Sequence, residues 1–136
     1  MKRQKSREIA MELLFSMELS KNSIEETMEM FIENYEMSLD TIDMDYVRNV
    51  IEVTYKNKEE VDAIIEKSMT NWKKERISKV NLSILRLAIA EILYVNDVPG
   101  RVAINEAIEL TKKYSDEKSK AFVNAVLDKA LKVIEA

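Results

Sequence analysis

The feature of this sequence that most restricts its fold is the near absence of glycine and proline. The 136 residues contain one of each, Pro99 and Gly100, and these two stand side by side. Turns that need a positive φ or a fixed φ must therefore be scarce, because glycine and proline supply most of them. Such a composition is typical of long helices joined by short polar connections. We expect an all-α protein.

Apolar residues recur at a helical spacing along most of the chain. This period predicts six or seven helices and no convincing strand. Ser23 followed by Glu26 has the pattern of a capping box. Asp43 can cap a third helix, and Asp116 or Ser115 can cap the last one. On the second helix the predicted inward residues are Ile24, Met28, Phe31, Ile32 and Tyr35.

The segment at residues 80–95, VNLSILRLAIAEILYV, is apolar around most of its circumference. A helix of this kind is usually central, with neighbours on several sides. The next helix is predicted from Arg101 to Tyr114. We expect Pro99 in its first turn, where a proline removes no helical hydrogen bond.

The length of the chain is enough for one domain with a real core and too short for two of ordinary size. We expect a single helical domain over residues 1–136, with a basic leader at residues 1–7. Glu8, Glu12 and Glu18 interrupt the apolar positions of the first 20 residues, which excludes a signal-peptide segment there. No run approaches the ~18 apolar residues of a membrane span. The sequence therefore indicates a soluble, cytoplasmic protein.

The residue types that usually perform catalysis are missing. The chain has no cysteine and no histidine, and its single glycine cannot form a glycine-rich phosphate loop. Carboxylate pairs on one helical face, such as Glu106 with Glu109, arise by chance among 25 acidic residues, and a solvated surface explains them better. We expect no metal, no cofactor and no catalytic site, and therefore a binding protein rather than an enzyme.

The net charge of −4 conceals a polarised distribution. Residues 23–62 carry 12 acidic and 3 basic side chains, a net charge of −9, so the rest of the chain sums to +5. The positive charge concentrates in the basic leader and at residues 112–120. An acidic total therefore does not exclude an anionic partner. Taken alone, each basic cluster is more simply a solvated end of a helix.

Three ordered segments resemble the NusB family of bacterial transcription antitermination factors. They are ILRLAIAEILYVNDVP (Ile84 to Pro99), VAINEAIELTKKY (Val102 to Tyr114) and KAFVNAVLDKAL (Lys120 to Leu131). The basic leader followed by REIAMELLFSMELS is similar to the first helix of the family. Residues 23–75 match only in their helical pattern.

The resemblance implies both a fold and partners. The fold is two packed three-helix bundles. The function is binding of boxA RNA in ribosomal RNA leader transcripts together with NusE, a small-subunit ribosomal protein. This complex joins RNA polymerase and other Nus factors and promotes processive transcription of ribosomal RNA. The family's RNA surface comprises the basic leader, the start of the first helix and the turn before the last helix.

Carried over to this chain, the resemblance implies an RNA-binding set. Phosphates would meet the leader, although Arg7 has the alternative of pairing with a nearby acid. A base would stack on Tyr114, whose alternative role is to cover a corner of the helix hairpin. The free N–H groups at the start of the last helix would favour a phosphate. The predicted RNA-binding residues are Lys2, Arg3, Lys5, Arg7, Tyr114, Lys118, Ser119 and Lys120.

A second group of residues has a structural alternative. Asn105 and Asn124 are poor helix formers, and we expect a hydrogen bond between neighbouring helices to compensate, with RNA contact as the second interpretation. Phe15 stands where the family often has tyrosine, and its expected role is either RNA contact without a hydroxyl group or a structural one. Arg86 can instead form a salt bridge at the edge of the core. The candidates for the NusE interface are Arg76, Lys79, Asn81 and Arg86.

Two other functions compete with this one. The chain also fits a helical scaffold that binds only proteins, or a detached regulatory domain like that of ribosomal RNA methyltransferases. The leader has Gln4 and Lys5 where the family is usually richer in arginine, so fewer bidentate phosphate contacts are expected. The sequence leaves open a monomer or a homodimer, the RNA sequence preference, the residues that contact bases, and a role in ribosomal RNA maturation.

Overall fold

A computed structural model describes residues 2–69 and 76–136 of the chain. These residues form seven α-helices, one turn of 3₁₀ helix at Leu39–Thr41 and no strand, which confirms the all-α expectation. The helices are α1 (Lys2–Ser20), α2 (Ile24–Asn34), α3 (Met44–Lys56), α4 (Lys58–Ser68), α5 (Lys79–Tyr94), α6 (Gly100–Tyr114) and α7 (Glu117–Glu135).

The helix starts follow the predicted caps. The Ser23 hydroxyl accepts from the Glu26 backbone N–H while the Glu26 carboxylate accepts from the Ser23 N–H, a complete capping box. Asp43 caps α3. Asp116 rather than Ser115 caps α7, because its carboxylate accepts from the Ser119 N–H at 2.8 Å. Short polar side chains therefore begin these helices without help from glycine or proline.

The helices pack as two three-helix groups around α5. In the N-terminal group α1, α2 and α3 contact one another, and in the C-terminal group α5, α6 and α7 do so. Helix α5 also contacts α1 and α3, while α4 packs on α5 and α7. All eleven residues from 81 to 91 of α5 are buried. The segment that is apolar all round is thus the central helix, as predicted.

Two details of the predicted helices were wrong. Pro99 is the N-cap of α6 and not a residue of its first turn, because the helix begins at Gly100. A Cβ at Gly100 would lie 2.6 Å from Leu131 Cδ1, so this start of α6 packs closely on α7. On α2, Ile32 is 44% exposed rather than inward, because Thr27 and Met28 are the residues of that helix that the neighbours bury. No helix in the described part of the chain is long and apolar enough to cross a membrane.

Candidate nucleic-acid interface

The basic leader is not an arm that precedes the first helix, because α1 already begins at Lys2. The helix fixes where each cation points, since neighbours in sequence lie 100° apart around its axis. Lys2 and Lys5 are exposed, Arg3 is half-buried, and Arg7 is buried. Residues that look equivalent in the sequence therefore have different surroundings.

Arg7 lies beneath the surface in a bidentate ion pair. Its Nε donates to Glu91 Oε1 at 2.8 Å and its Nη2 to Glu91 Oε2 at 3.0 Å, and Nη1 lies 3.7 Å from Glu106. Arg7 is 4% exposed and Glu91 is 1% exposed. Burial disfavours the charged guanidinium, but the bonds to Glu91 outweigh it and raise the pKa of Arg7. The structure therefore favours the alternative expected for Arg7, pairing with an acid, over a phosphate contact.

Arg3 is held on the surface by several groups. Its guanidinium carbon lies 4.3 Å from the centre of the Tyr46 ring, and its Nη2 lies 3.5 Å from Asp97 and 3.7 Å from Asp43. These contacts join the start of α1 to α3 and to the turn before α6. A phosphate at Arg3 has to compete with two carboxylates, whereas Lys2 has no such pairing among the described residues.

Glu8 joins the two basic clusters. Its Oε1 accepts from Lys113 Nζ at 2.6 Å and from the Tyr114 hydroxyl at 2.6 Å, and Lys5 Nζ lies 3.9 Å away. Burial raises the pKa of Glu8, but the bonds from Lys113 and Tyr114 outweigh it and hold the pKa below its usual value. The leader and the end of α6, more than 100 residues apart, thus form one surface.

The hydroxyl of Tyr114 forms hydrogen bonds with side chains of α1. The hydroxyl also donates to Glu12 Oε1 at 3.1 Å, and burial with these carboxylates raises the pKa of the phenol. The half-buried ring packs against the core. The corner-covering role is therefore present in the structure, and the stacking role remains a prediction.

Replacing Tyr114 by Phe tests how the two roles divide. We expect the free energy of unfolding to fall by ~1–2 kcal/mol, because hydrogen bonds to carboxylates are lost while the ring stays. Urea unfolding at pH 7 measures the loss. RNA affinity should change little if the ring alone contacts a base, and a large loss of affinity would contradict that role.

The start of α7 supplies the second predicted group. Lys118 is exposed, and Lys120 lies 3.0 Å from Glu117 on the same helix. The Ser119 N–H is already used by the Asp116 cap. The Ser119 hydroxyl accepts from Asn81 Nδ2 at 3.0 Å, which ties α7 to the start of α5.

A pocket of about 260 Å³ lies between the starts of α5 and α7. Its lining brings together Lys118 and Ser119, predicted for RNA, with Arg76 and Asn81, predicted for the protein partner. Asn81 is 7% exposed, and its Oδ1 is buried without a hydrogen-bond partner. The two predicted surfaces therefore meet here. Phe122, which packs against the core, also lines this pocket.

Arg86 belongs to a buried ionic cluster. Its Nε and Nη2 donate to Asp62 at 2.8 and 2.9 Å, and its Nη1 donates to Glu18 at 3.1 Å. Lys79 and Lys58 each lie 3.6 Å from Glu18. Arg86 is 6% exposed, so the salt-bridge alternative describes it better than direct partner contact does. Lys79 remains on the surface beside this cluster.

The expected hydrogen bonds of Asn105 and Asn124 are absent. Both residues are exposed, and neither side chain has a hydrogen-bond partner among the described residues. A bond between helices therefore does not account for either asparagine. Phe15 is half-buried against the core, where a phenyl ring needs no hydroxyl partner.

Comparison with known proteins identifies close relatives over the whole chain. The NusB family model matches residues 4–132. Transcription antitermination protein NusB of Clostridium botulinum (strain Alaska E43 / Type E3) is 53% identical over 132 residues, covering 97% of this chain and 99% of the relative. The protein of the same name from Clostridium perfringens (strain SM101 / Type A) is 50% identical over 135 residues, covering 99% and 100%.

Solved structures are similar in fold across almost the full length. The crystal structure of antitermination factors NusB and NusE in complex with double-stranded RNA matches with a TM-score of 0.82 at 28% identity, covering 96% of both chains. The NusB structure from T. maritima matches with a TM-score of 0.83 at 30% identity, covering 97% of this chain and 92% of that one.

Proposed function

The chain belongs to the NusB family, and on that premise we propose that it is a transcription antitermination factor acting as an RNA and protein adaptor. It binds boxA RNA of ribosomal RNA leader transcripts together with NusE. The resulting complex joins RNA polymerase with other Nus factors. A structural neighbour that holds NusE and double-stranded RNA supports this assignment.

The observation that carries the proposal is the meeting of two basic segments at Glu8. Lys5 of the leader and Lys113 of α6 approach the same carboxylate oxygen, at 3.9 and 2.6 Å. Charges that cluster in three dimensions, rather than only along the sequence, form a continuous field for a phosphate chain. Lys2 in the first turn of α1 and Lys118 in the first turn of α7 are also exposed. We assign phosphate contact to these exposed lysines and to Lys120.

The pocket between α5 and α7 lies where the RNA surface and the partner surface join. Its lining combines the cations Arg76 and Lys118 with the amide of Asn81. Cations suit RNA phosphates, and an amide can form hydrogen bonds with either an RNA or a protein. Placing NusE beside Arg76, Lys79 and Asn81 lets it touch RNA bound at Lys118 and Ser119. Cooperative binding then needs no change of shape in this chain.

We also propose that the chain acts by binding rather than by catalysis, as one domain in the cytoplasm. Among the described residues no group of His, Cys, Asp and Glu side chains has the arrangement of a metal site. The surface carries lysines on α1, α6 and α7, which suits recognition of a polyanion without any cofactor.

Salt dependence of RNA binding tests the proposal. In the triple variant Lys2→Ala, Lys5→Ala, Lys118→Ala, binding of a boxA RNA with NusE should weaken by ~10–100-fold, and the slope of log K against log salt should decrease by ~2, at ~0.7 per lost phosphate contact on single strands. Filter binding or fluorescence anisotropy at several salt concentrations measures both quantities.

A matched control removes the same charge elsewhere. Lys56→Ala, Lys67→Ala, Lys132→Ala also deletes three exposed lysines, but from α3, α4 and the end of α7. This variant should keep nearly all of the salt slope. If both triple variants lose the same affinity, or if NusE does not tighten binding of the unsubstituted chain, the adaptor proposal fails. If the unsubstituted chain binds no RNA with or without NusE, a scaffold that binds only proteins replaces it.

A further inference from the structure

A groove of about 540 Å³ runs between α1 and α6. It lies where Glu8 of α1 accepts hydrogen bonds from Lys113 and Tyr114 of α6. Gln4 and Arg7 line it from α1, and Asn105, Glu106 and Lys112 line it from α6. It is large enough for a nucleobase with its ribose. The groove is distinct from the pocket between α5 and α7, which shares no lining residue with it.

Most polar groups of the groove are already engaged. Glu106 Oε1 accepts from Gln4 Nε2 at 3.1 Å and lies 3.7 Å from Arg7. Glu8 is held by Lys113 and Tyr114. These bonds fix the walls and occupy the carboxylates, so the groove does not repel an anionic chain as strongly as its formal charges suggest.

Asn105 is the exception. Its amide is exposed in the groove and has no hydrogen-bond partner among the described residues. Asparagine in a helix interior is less favourable than alanine, because its side chain favours non-helical conformations. Helix stability therefore does not explain why an asparagine stands at this position.

The surroundings of Asn105 indicate what kind of ligand it contacts. Asn105, Glu109 and Lys112 are spaced i, i+4 and i+7, so they follow one stripe of α6. Lys112 is exposed, and its Nζ lies 3.4 Å from Glu109 Oε1. It follows Asn105 by ~10 Å along the helix axis. Along this stripe Lys112 offers a cation to a phosphate, and the free amide of Asn105, about two helical turns away, offers a donor and an acceptor to a base edge.

We propose that the groove between α1 and α6 holds one unstacked adenine of the bound RNA and that Asn105 reads its edge. The proposal rests on the RNA-binding function given above and adds a base-specific contact to it. An amide presents one donor and one acceptor side by side, which pairs with N7 and the N6 amino group of adenine. Single-stranded RNA exposes these edges for recognition.

The test compares Asn105→Ala with Asn124→Ala. Asn124 is also an exposed asparagine within a helix and without a hydrogen-bond partner among the described residues, but it does not line the groove. With boxA RNA and NusE, Asn105→Ala should weaken binding about tenfold and leave the salt slope unchanged, because no phosphate contact is lost. Asn124→Ala should bind like the unsubstituted chain. The midpoint temperature of thermal unfolding should be unchanged or slightly raised in both variants.

A modified RNA identifies the base. Each adenine of the RNA is replaced in turn by 7-deazaadenine, which lacks the N7 acceptor. At one position the replacement should weaken binding by the unsubstituted chain but not by Asn105→Ala, which is the coupling that a direct contact requires. Equal affinity of Asn105→Ala and the unsubstituted chain, or coupling at no adenine, overturns the base site and leaves the adaptor function intact. Absence of RNA binding by the unsubstituted chain with NusE overturns the adaptor function itself.

Discussion

Replacing Arg7 by Met is expected to lower the free energy of unfolding by ~3–5 kcal/mol, the largest loss from any single leader residue. The change leaves the Glu91 carboxylate, 1% exposed, without its bidentate partner in the interior. Tyr46 and Glu106 cannot replace the lost charge, because neither is a cation. Urea unfolding at pH 7, followed by circular dichroism, measures the change.

Two control variants show whether the loss in Arg7→Met comes from leaving a buried charge unpaired. Arg101→Met breaks an ion pair of 2.7 Å with Asp128, in which the side chains are 62% and 40% exposed, and should cost less than ~1 kcal/mol. The double variant Arg7→Met, Glu91→Leu removes both buried charges and should recover much of the loss. If Arg7→Met unfolds like the unsubstituted chain but loses RNA affinity with a smaller salt slope, Arg7 is a phosphate ligand after all.

Replacing Arg86 by Met should cost a similar ~3–5 kcal/mol at pH 7, because Asp62 and Glu18 lose their shared guanidinium. The loss should shrink in acid. Burial raises the pKa of Glu18, but Arg86 and Lys58 outweigh it and lower that pKa below the usual 4.5. Since the folded value is depressed, the stabilisation by Glu18 is complete above pH ~4.5 and disappears as the pH falls through the folded value.

Urea unfolding of Arg86→Met and of the unsubstituted chain at several pH values from 7 to 3 measures how the difference in stability shrinks. Arg48→Met serves as the matched control, since the Arg48 pair with Glu25 at 2.8 Å is exposed on the surface. Its effect should be below ~1 kcal/mol. A constant difference between Arg86→Met and the unsubstituted chain at every pH would show that packing of the side chain, rather than its charge, stabilises the fold.

The helices were predictable because their signals are local. The capping box at Ser23 and Glu26 and the cap at Asp43 involve residues three positions apart, and their chemistry is complete within one turn. The central position of α5 followed from its lack of a polar face. The start of α6 was placed one residue late, because the close approach of Gly100 to Leu131 depends on a helix that comes later in the chain.

The candidate site was less predictable, because a cation looks the same in a sequence whatever lies opposite to it. Arg7 and Lys5 differ by two positions, yet only Arg7 points at Glu91, which is 84 residues away. Asn81 was assigned to one partner and Ser119 to the other, although they share a hydrogen bond. Phe122 packs against the core and also borders a pocket, and the spacing of apolar residues in a sequence does not indicate the second role.

The two buried ion clusters also determine which way round α1 and α5 can pack. Arg7 near the start of α1 meets Glu91 near the end of α5, while Glu18 near the end of α1 meets Arg86 in the middle of α5. Reversing one helix would bring arginine against arginine and glutamate against glutamate in the interior, which is far costlier than any apolar mismatch. The buried ion pairs thus fix the direction of α1 against α5. They also hold the start of α1, where Lys2 and Lys5 are exposed, in a single position.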